Sequence, residues 1–525
     1  MNRTSIRSAV RFCVLALTTS ALLSLPLFAQ DAGQVLQLSV GFRTIKNRTP
    51  MSDDKRKEVE ALEAKARKAN DEKQFGEAYK HMQHGIALMR NQPWTPMAAL
   101  NSALQLKLDR RVFDPGEVAR VKVSQMFALD EAVKGKLKLT VALAAMRDRK
   151  SVTIKELKTW NDVTPDFTKE IALDVALPQV EPDNYQLVLT LAPAEGESVN
   201  KPTSIRIERN LNAEAEQLKR RITTVRADLE GRHLMTDQQG LMHALAPAEY
   251  VVSLVDLVNN GSLQVERVSL KAEFDNTNAL LDRIVKGENP LKGQRGDIRW
   301  AYISAVDKAP QPYRLYIPTG YDAKRKWPLV VALHGMGGDE NSFFTAYNNG
   351  EIKRIAEERG YIIACPKGRA PTSMYMGTAE RDVLDVLKEV KREYAIDDNR
   401  VYLMGHSMGG YGTWSVSVNN PDLFAAIAPI SGGGTPFVTA KLKGLTNVPW
   451  IVTHGDKDPT VSVEESRKMV KAGKDLGIEI KYNEVPGGDH GNVVAPAFKE
   501  IFDWFDAHKR QPAAKAAAKA ASSGN

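Results

Sequence analysis

The stretch that decides the fold is Arg400-Val401-Tyr402-Leu403-Met404-Gly405-His406-Ser407-Met408-Gly409-Gly410-Tyr411-Gly412-Thr413-Trp414-Ser415-Val416. Its first part, Arg400 to Met404, is a short apolar run of the kind that forms a buried strand. Its centre, Gly405 to Gly409, reads G-x-S-x-G, and the residues from Gly410 to Val416 can open a helix. A strand that turns this sharply into a helix strains the residue at the apex and lifts its side chain clear. The glycines leave room for strand and helix to approach. Ser407 is therefore expected to project its hydroxyl into a cleft at a helix N-terminus, where developing negative charge is stabilised.

A serine hydroxyl is a weak nucleophile at neutral pH. It needs a base within hydrogen-bond reach, and the base needs a carboxylate to fix its tautomer. Downstream, the apolar strand Trp450 to His454 runs into Gly455-Asp456-Lys457-Asp458-Pro459-Thr460-Val461. A carboxylate just past a strand end lies at the carboxyl edge of a parallel sheet, where such folds build their sites. Asp458, deeper in the loop and stiffened by Pro459, is favoured over Asp456, which suits a turn-shaping role. Ile478 to Tyr482 alternates like a strand and is followed by Pro486-Gly487-Gly488-Asp489-His490-Gly491-Asn492 and the amphipathic stretch from Pro496 to His508. His490, in a Gly-rich loop between the last strand and the last helix, is the expected base. Three other histidines are set aside: His454 as too close to the acid loop to be oriented by Asp458, His406 as packing within the elbow, and His508 as solvated. The strand Pro328 to Leu333 ends in His334-Gly335-Met336-Gly337-Gly338, a turn that can aim backbone N–H groups at a carbonyl oxygen. The Met336 and Met408 amides are the expected oxyanion donors. His334, Arg369, Tyr375 and Tyr411 are candidates for lining a substrate site. Ser431-Gly432-Gly433-Gly434 lacks the Gly-Lys-Ser/Thr ending of a phosphate loop and reads as a flexible loop beside the cleft. No His, Cys and carboxylate spacing suits a metal, and no cofactor is expected.

On Leu333-His334-Gly335, Pro366-Lys367-Gly368-Arg369, Asp382 to Val386, Val401 to Trp414, His454 to Asp458 and Gly488-Asp489-His490, the chain from about Arg314 to His508 resembles the secreted α/β-hydrolases. It is similar to the dienelactone-hydrolase-like and prolyl-oligopeptidase-like group, to feruloyl and acetyl-xylan esterases, and to polyhydroxybutyrate-depolymerase-type proteins. The resemblance implies a doubly wound, mostly parallel sheet and a serine hydrolase with Ser407, Asp458 and His490 as its triad. The expected reaction is cleavage of a carboxylic ester through an acyl-enzyme, on a small-molecule or polysaccharide-linked ester. Two alternatives stand beside it. One is a serine peptidase of prolyl-oligopeptidase-like type, although no propeller-like repeat precedes the catalytic region. The other is a non-catalytic surface-binding protein on a hydrolase frame.

The 525 residues exceed one ordinary core and imply several domains. Residues 1–29 read as a signal peptide: Arg3 and Arg7 without acids, an apolar run from Val14 to Phe28, and cleavage after Ala29. Export to the periplasm or exterior follows as an expectation, with no membrane span after cleavage. Of the two cysteines, Cys13 lies in the signal, so Cys365 has no disulfide partner and reads as a buried strand residue. The net charge of +8 sits mainly in Arg3, Arg7 and Arg11 and in Lys509, Arg510, Lys515 and Lys519. It forms no basic patch interleaved with aromatics, so nucleic acid is not an expected partner. Residues 509–525, rich in Ala and Lys, are expected to form a disordered tail.

The front half changes period three times. In 30–103, apolar residues at helical spacing between Asp54 and Arg90 predict a helical hairpin broken near Asn70-Asp71. In 104–209, alternation such as Tyr185/Leu187/Leu189/Leu191 between turn signals predicts an Ig-like β-sandwich. Trp160 or Tyr185 could there stack on a sugar ring, but a spacer role is favoured. Residues 210–299 predict a helical connector ending in a linker over 287–299, and 300–508 the α/β-hydrolase catalytic domain. The expected fold class is thus multidomain, with the α/β-hydrolase at the C-terminal end.

Overall fold

The structure is a computed structural model that describes residues 25–231 and 239–510. Most of the expected signal segment and the tail beyond Arg510 lie outside the described residues. The chain divides into two compact units, one of residues 1–105, 124–134 and 166–169, the other of 106–123, 135–165 and 170–525.

The first unit is helical: α1 (Leu25–Arg48), α2 (Asp53–Asp71), α3 (Phe75–Met89) and α4 (Pro96–Ala103). Ser52 caps α2 by accepting the Lys55 N–H, and Asp53 and Asp54 complement its dipole. Val35, Phe42, Val59, Ala66, Ala78, Met82 and Ile86 form its core. The hairpin α2–α3 is thus joined by a third long helix, and the Phe42 ring occupies the space beside Gly85 of α3.

Two sheets follow. Eight strands run from 104 to 207: β1 (Leu104–Leu108), β2 (Val112–Phe113), β3 (Val118–Gln125), β4 (Leu137–Arg147), β5 (Lys150–Val163), β6 (Ile171–Ala176), β7 (Asp183–Ala192) and β8 (Val199–Ile207). They order as β1-β3-β6 and β2-β8-β7-β4-β5. In β7 every second residue from Tyr185 to Leu191 is buried, the period of a strand with one face on a core. Tyr185 is buried and donates its hydroxyl to the Glu181 carbonyl. That corrects its candidacy as an exposed sugar platform. Trp160 lies on β5, under the Lys158 ammonium, 5.0 Å from its ring centroid.

The helices α5 (Leu211–Gly231), α6 (Gln239–His243), α7 (Ala246–Asn259) and α8 (Leu270–Val285) do more than connect. Leu218, Ile222, Leu254, Phe274 and Leu281 share one continuous core with Trp300, Tyr302, Tyr313 and Leu315 of the following sheet. Among the described residues one stretch, Gly240–Asn259, is long and apolar enough to cross a membrane by length and composition, which the expectation of no span after cleavage did not include. Half of its apolar window is buried here, with Leu245, Ala248, Val251 and Val258 in the core, as in a core helix.

The C-terminal region is built on eight strands: β9 (Gly296–Ile303), β10 (Pro310–Ile317), β11 (Trp327–Leu333), β12 (Ile362–Pro366), β13 (Ile396–His406), β14 (Ala426–Ile430), β15 (Trp450–Gly455) and β16 (Ile480–Val485). Their order is β16-β15-β14-β13-β11-β12-β10-β9. The six strands from β11 to β16 pair in parallel, and β9 and β10 add an antiparallel edge. The expected linker over 287–299 therefore ends early, because β9 already begins at Gly296 and pairs with β10 through Ile317. Along β11 and β13, Leu329, Val331, Val401 and Leu403 enter one core, whereas Val330, Ala332, Tyr402 and Met404 enter the other. Both faces are covered, which is why these strands are continuously apolar. The remaining helices are α9 (Ser342–Thr345), α10 (Tyr347–Arg359), α11 (Thr378–Glu393), α12 (Met408–Asn419), α13 (Pro436–Lys441), α14 (Val463–Asp475) and α15 (Val494–Ala507). Cys365 is free and buried in β12.

Candidate active site

Three strand ends converge at the carboxyl edge of the sheet. β13 ends at His406, Ser407 turns the chain, and α12 starts at Met408. Ser407 sits at φ 57°, ψ −115°, a strained backbone for a residue with a Cβ. The strain is imposed by close packing around it. A Cβ on Gly405 would overlap the Gly409 carbonyl, and a Cβ on Gly409 would overlap the Leu333 carbonyl of β11.

Asp458 follows β15 and His490 follows β16. The two loops touch backbone to backbone, because Gly455 and Gly488 leave no space for a side chain between them. The Lys457 N–H donates to the Gly488 carbonyl at 3.0 Å. Asp456 accepts the Gly487 N–H at 2.7 Å and so shapes the loop pair. The Asp458 side chain is fully buried. Its Oδ1 accepts the Thr460 and Val461 N–H groups at 2.8 and 2.9 Å, and its Oδ2 lies 2.7 Å from His490 Nδ1. The carboxylate can only accept, so Nδ1 carries the proton and Nε2 faces Ser407 Oγ as an acceptor, at 2.9 Å. Burial pushes the Asp458 carboxyl up, but hydrogen bonds from His454 and His490 outweigh it and hold the group well below the usual carboxylate range.

The turn after β11 lies beside the serine: a Cβ on Gly335 would be 3.4 Å from Ser407 Cβ. The Met336 and Met408 N–H groups have no hydrogen-bond acceptor among the described residues. Other sequence candidates are placed differently. His334 is buried, and its two ring nitrogens face the Gly335 and Lys367 carbonyls, each at 2.8 Å. Tyr375 is fully buried, its ring filling the space beside Gly368 and Gly412. Arg369 is committed to Ser304, Asp307 and Asp382. His334 and Tyr375 are thus buried within the protein, and the half-buried Arg369 is paired with its neighbours. Tyr411 is half-buried beside Gly433.

Two histidines do more than was expected of them. His406 Nε2 lies 2.7 Å from the His490 carbonyl and its Nδ1 lies 2.8 Å from the Tyr347 hydroxyl. The carbonyl can only accept, so the Nε2 proton is fixed and Nδ1 accepts from Tyr347. His454 does reach Asp458, at 3.2 Å from Oδ2, so proximity to the acid loop brings it into contact instead of excluding it. His508 is half-buried, with Nδ1 2.7 Å from the Trp504 carbonyl, so it is held, not solvated. Ser431 to Gly433 are buried. A Cβ on Gly432 would be 2.7 Å from the Gly410 carbonyl carbon, so the glycines there serve close approach to α12, not flexibility. Tyr347 was not singled out in the sequence. Its signal is only the left-handed run from Tyr347 to Gly350, which no residue pattern announces.

Burial, and then the positive field of His490, pushes the His406 imidazole down to about 3. The folded protein thus binds this proton more weakly than the unfolded chain does, and the stability His406 confers is present above about pH 6.5 and lost as pH falls toward 3. Stability is expected to decline in that window with up to about 1.4 kcal/mol per pH unit from this group. Urea denaturation across pH 4–7 checks it: His406→Gln is expected to lower the slope by about one proton, and an identical slope refutes the assignment.

The prolyl oligopeptidase family model matches residues 373–433, the segment from the turn before α11 to the loop after β14. Over 151 residues the chain is 32% identical to the bifunctional acetylxylan esterase/xylanase XynS20E of Neocallimastix patriciarum, covering 28% of this chain and 22% of that protein. It is 25% identical over 161 residues to a probable feruloyl esterase C of Aspergillus terreus, covering 30% and 58%. It is 22% identical over 228 residues to dipeptidyl peptidase 4 of Felis catus, covering 36% and 30%. The chain therefore spans about a fifth to three-fifths of the length of these relatives. A solved thermostable esterase aligns with 78% of this chain and 100% of its own at 20% identity, with a TM-score of 0.36. The family match lies across the elbow, and the proteins that the chain matches include esterases and peptidases, so the C-terminal part of the chain is similar to serine hydrolases of the esterase and prolyl-peptidase kind.

Proposed function

We propose that the protein is an exported serine esterase. Ser407 Oγ attacks the ester carbonyl carbon while His490 Nε2 takes its proton, and Asp458 holds the imidazole and balances its charge. The Met336 and Met408 N–H groups receive the oxyanion. Collapse of the tetrahedral species expels the alcohol, which takes the proton from His490. Water then attacks the acyl-enzyme with His490 again as base, the acid leaves, and Ser407 is restored.

The observation that carries this reading is the hydrogen-bonded line from Asp458 through His490 to Ser407 on a strained elbow. The esterases among the relatives support an ester substrate, including one attached to a polysaccharide. Export rests on the composition of residues 1–29. A peptidase reading is second, favoured by the prolyl oligopeptidase match. The test is a panel of acetyl, butyryl and feruloyl esters beside peptidyl-proline amides, assayed with the full-length protein. Hydrolysis of esters with amides untouched is expected. Cleavage of the amides with esters untouched reverses the order of the two readings.

A further inference from the structure

Two imidazoles lie against Asp458 Oδ2, His490 Nδ1 at 2.7 Å and His454 Nε2 at 3.2 Å, and only the first belongs to the line that ends at Ser407. His454, in β15, is fully buried. Its Nε2 lies 3.2 Å from Asp458 Oδ2 and 3.0 Å from the Val461 carbonyl. Both neighbours can only accept, so Nε2 carries a hydrogen and donates. On the other side of the ring, Nδ1 lies 2.7 Å from Ser466 Oγ of α14, and Ser466, also fully buried, is 2.9 Å from the Gly432 carbonyl. Gly432 in turn is pressed on Gly410 of α12, three residues after Ser407. The buried polar line thus starts beside the nucleophile's own helix and returns to the nucleophile through Asp458 and His490.

We propose that His454 is a positioning residue for the Ser407–His490–Asp458 relay, holding the Asp458 carboxylate at the same oxygen as His490 and anchored by Ser466. The proposal rests on the catalytic reading above. It has two consequences. First, a carboxylate gripped at Oδ1 by the Thr460 and Val461 N–H groups and at Oδ2 by His454 cannot rotate, so the His490 ring is held at its angle to Ser407. Second, His454 and His490 share one oxygen. Two N–H donors on Oδ2 divide its negative charge, so His454 limits how strongly Asp458 stabilises protonated His490. The depressed carboxyl of Asp458 agrees with a double donor set.

Other charged groups face this cluster without reaching the imidazole. His406 lies beside His490, ring centroids 4.8 Å apart. Glu484 of β16 stands opposite His454 in the strand register and is paired with Arg467 of α14. Glu465 of α14 is beside Gly433, and Lys457 and Asp489 lie in the two loops, Asp489 accepting the Gly491 and Asn492 N–H groups. Among the described residues, the ring nitrogens of His454 touch only Ser466, the Val461 carbonyl and Asp458.

The experiment is the pH profile of kcat/KM on a nitrophenyl ester with the full-length protein, for wild type, His454→Ala, His454→Gln and Ser466→Ala. With the His454 donor gone, all of Oδ2 serves His490, its protonated form gains, and the acid limb moves to higher pH by about half a unit or more. kcat falls on the order of tenfold with KM unchanged, because the reacting geometry loosens while the substrate contacts remain. The Gln side chain places an amide N–H near the position of Nε2, so His454→Gln is expected to return the limb to its wild-type position. Ser466→Ala shifts it in the same direction as His454→Ala. A merely structural role lowers the melting temperature and leaves the limb where it was. An unmoved limb in His454→Ala overturns the proposal, as does an unmoved limb in Ser466→Ala if His454→Ala does not fold, or a His454→Gln limb displaced as far as that of His454→Ala. These failures differ from failure of the catalytic reading, which shows as wild-type hydrolysis by Ser407→Ala.

Discussion

Ser407→Ala is expected to lower kcat/KM for ester hydrolysis by about 10⁴-fold or more and to leave the fold intact. The two halves of that expectation have separate causes. The hydroxyl is the group on the elbow that faces His490 Nε2; without it His490 has no proton to take from the nucleophile, and any residual rate comes from water polarised by His490 in the oxyanion site. The backbone, by contrast, is indifferent to the loss of one oxygen. Ser407 is held at φ 57° by its neighbours, its N–H still donates to the Ile430 carbonyl at 2.9 Å, and alanine carries the same Cβ into the same strained well. Labelling of the wild-type protein with a fluorophosphonate and its loss in Ser407→Ala reads the nucleophile directly. An unchanged melting temperature excludes unfolding as the reason. Ester hydrolysis at the wild-type rate in Ser407→Ala sinks the esterase mechanism, and failure of the wild-type serine to label favours a non-catalytic binding role on this frame.

Much of this site could be read from the residues because its parts lie at strand ends, and strand ends are visible in sequence. An apolar run stopping at Met404, Leu333 or His454 places whatever follows at the same edge of a parallel sheet, and the structure brings the side chains of Ser407, Asp458 and His490 together there. What escaped the reading depends on distances between segments far apart in the chain. That His454 reaches Asp458 is decided by how α14 seats Ser466 against β15. That Tyr347 supports His406 is decided by a left-handed run before α10. The loop from Ser431 to Gly434 looked flexible because glycine permits many conformations. In the folded chain the same lack of a Cβ serves contact, with Gly432 and Gly410 meeting backbone to backbone. Arg369 and Tyr375 looked like ligand contacts because Arg and Tyr often are. In the folded chain Arg369 pairs with Asp382 and the Tyr375 ring is buried between glycines. Residues 287–299 looked like a linker because Gly, Lys and Arg crowd its start, yet Ile298 is buried in the sheet core, and the strand that carries it sets the edge of the sheet.

Gly409→Ala is expected to disable the protein by a different route, through stability. The Gly409 Cα lies so close to β11 that an added Cβ would overlap the Leu333 carbonyl oxygen, and it would stand 2.9 Å from the His334 carbonyl oxygen. No side chain is there to move aside; the obstacles are the backbone of the central strand and of the turn that carries Met336. Relief requires α12 to withdraw from the sheet, and α12 is pinned on its far side by the contact of Gly410 with Gly432. Withdrawal also uncovers Trp414 and Val416, both fully buried in the core between helix and sheet. A clash without a flexible partner belongs to the strongly destabilising class, on the order of 4 kcal/mol, which for a region of this size lowers the melting temperature by about 10 °C. Activity should fall with it even well below the transition, since moving α12 shifts the Met408 N–H and Ser407 together and leaves His490 behind. Differential scanning fluorimetry of Gly409→Ala beside Gly487→Ala separates the causes. Gly487 sits at φ 69° with open space around its Cα, so its substitution costs only backbone strain, about 1–2 kcal/mol. A Gly409→Ala protein that melts with the wild type, or no lower than Gly487→Ala, would show that the elbow does not need glycine for close approach to β11.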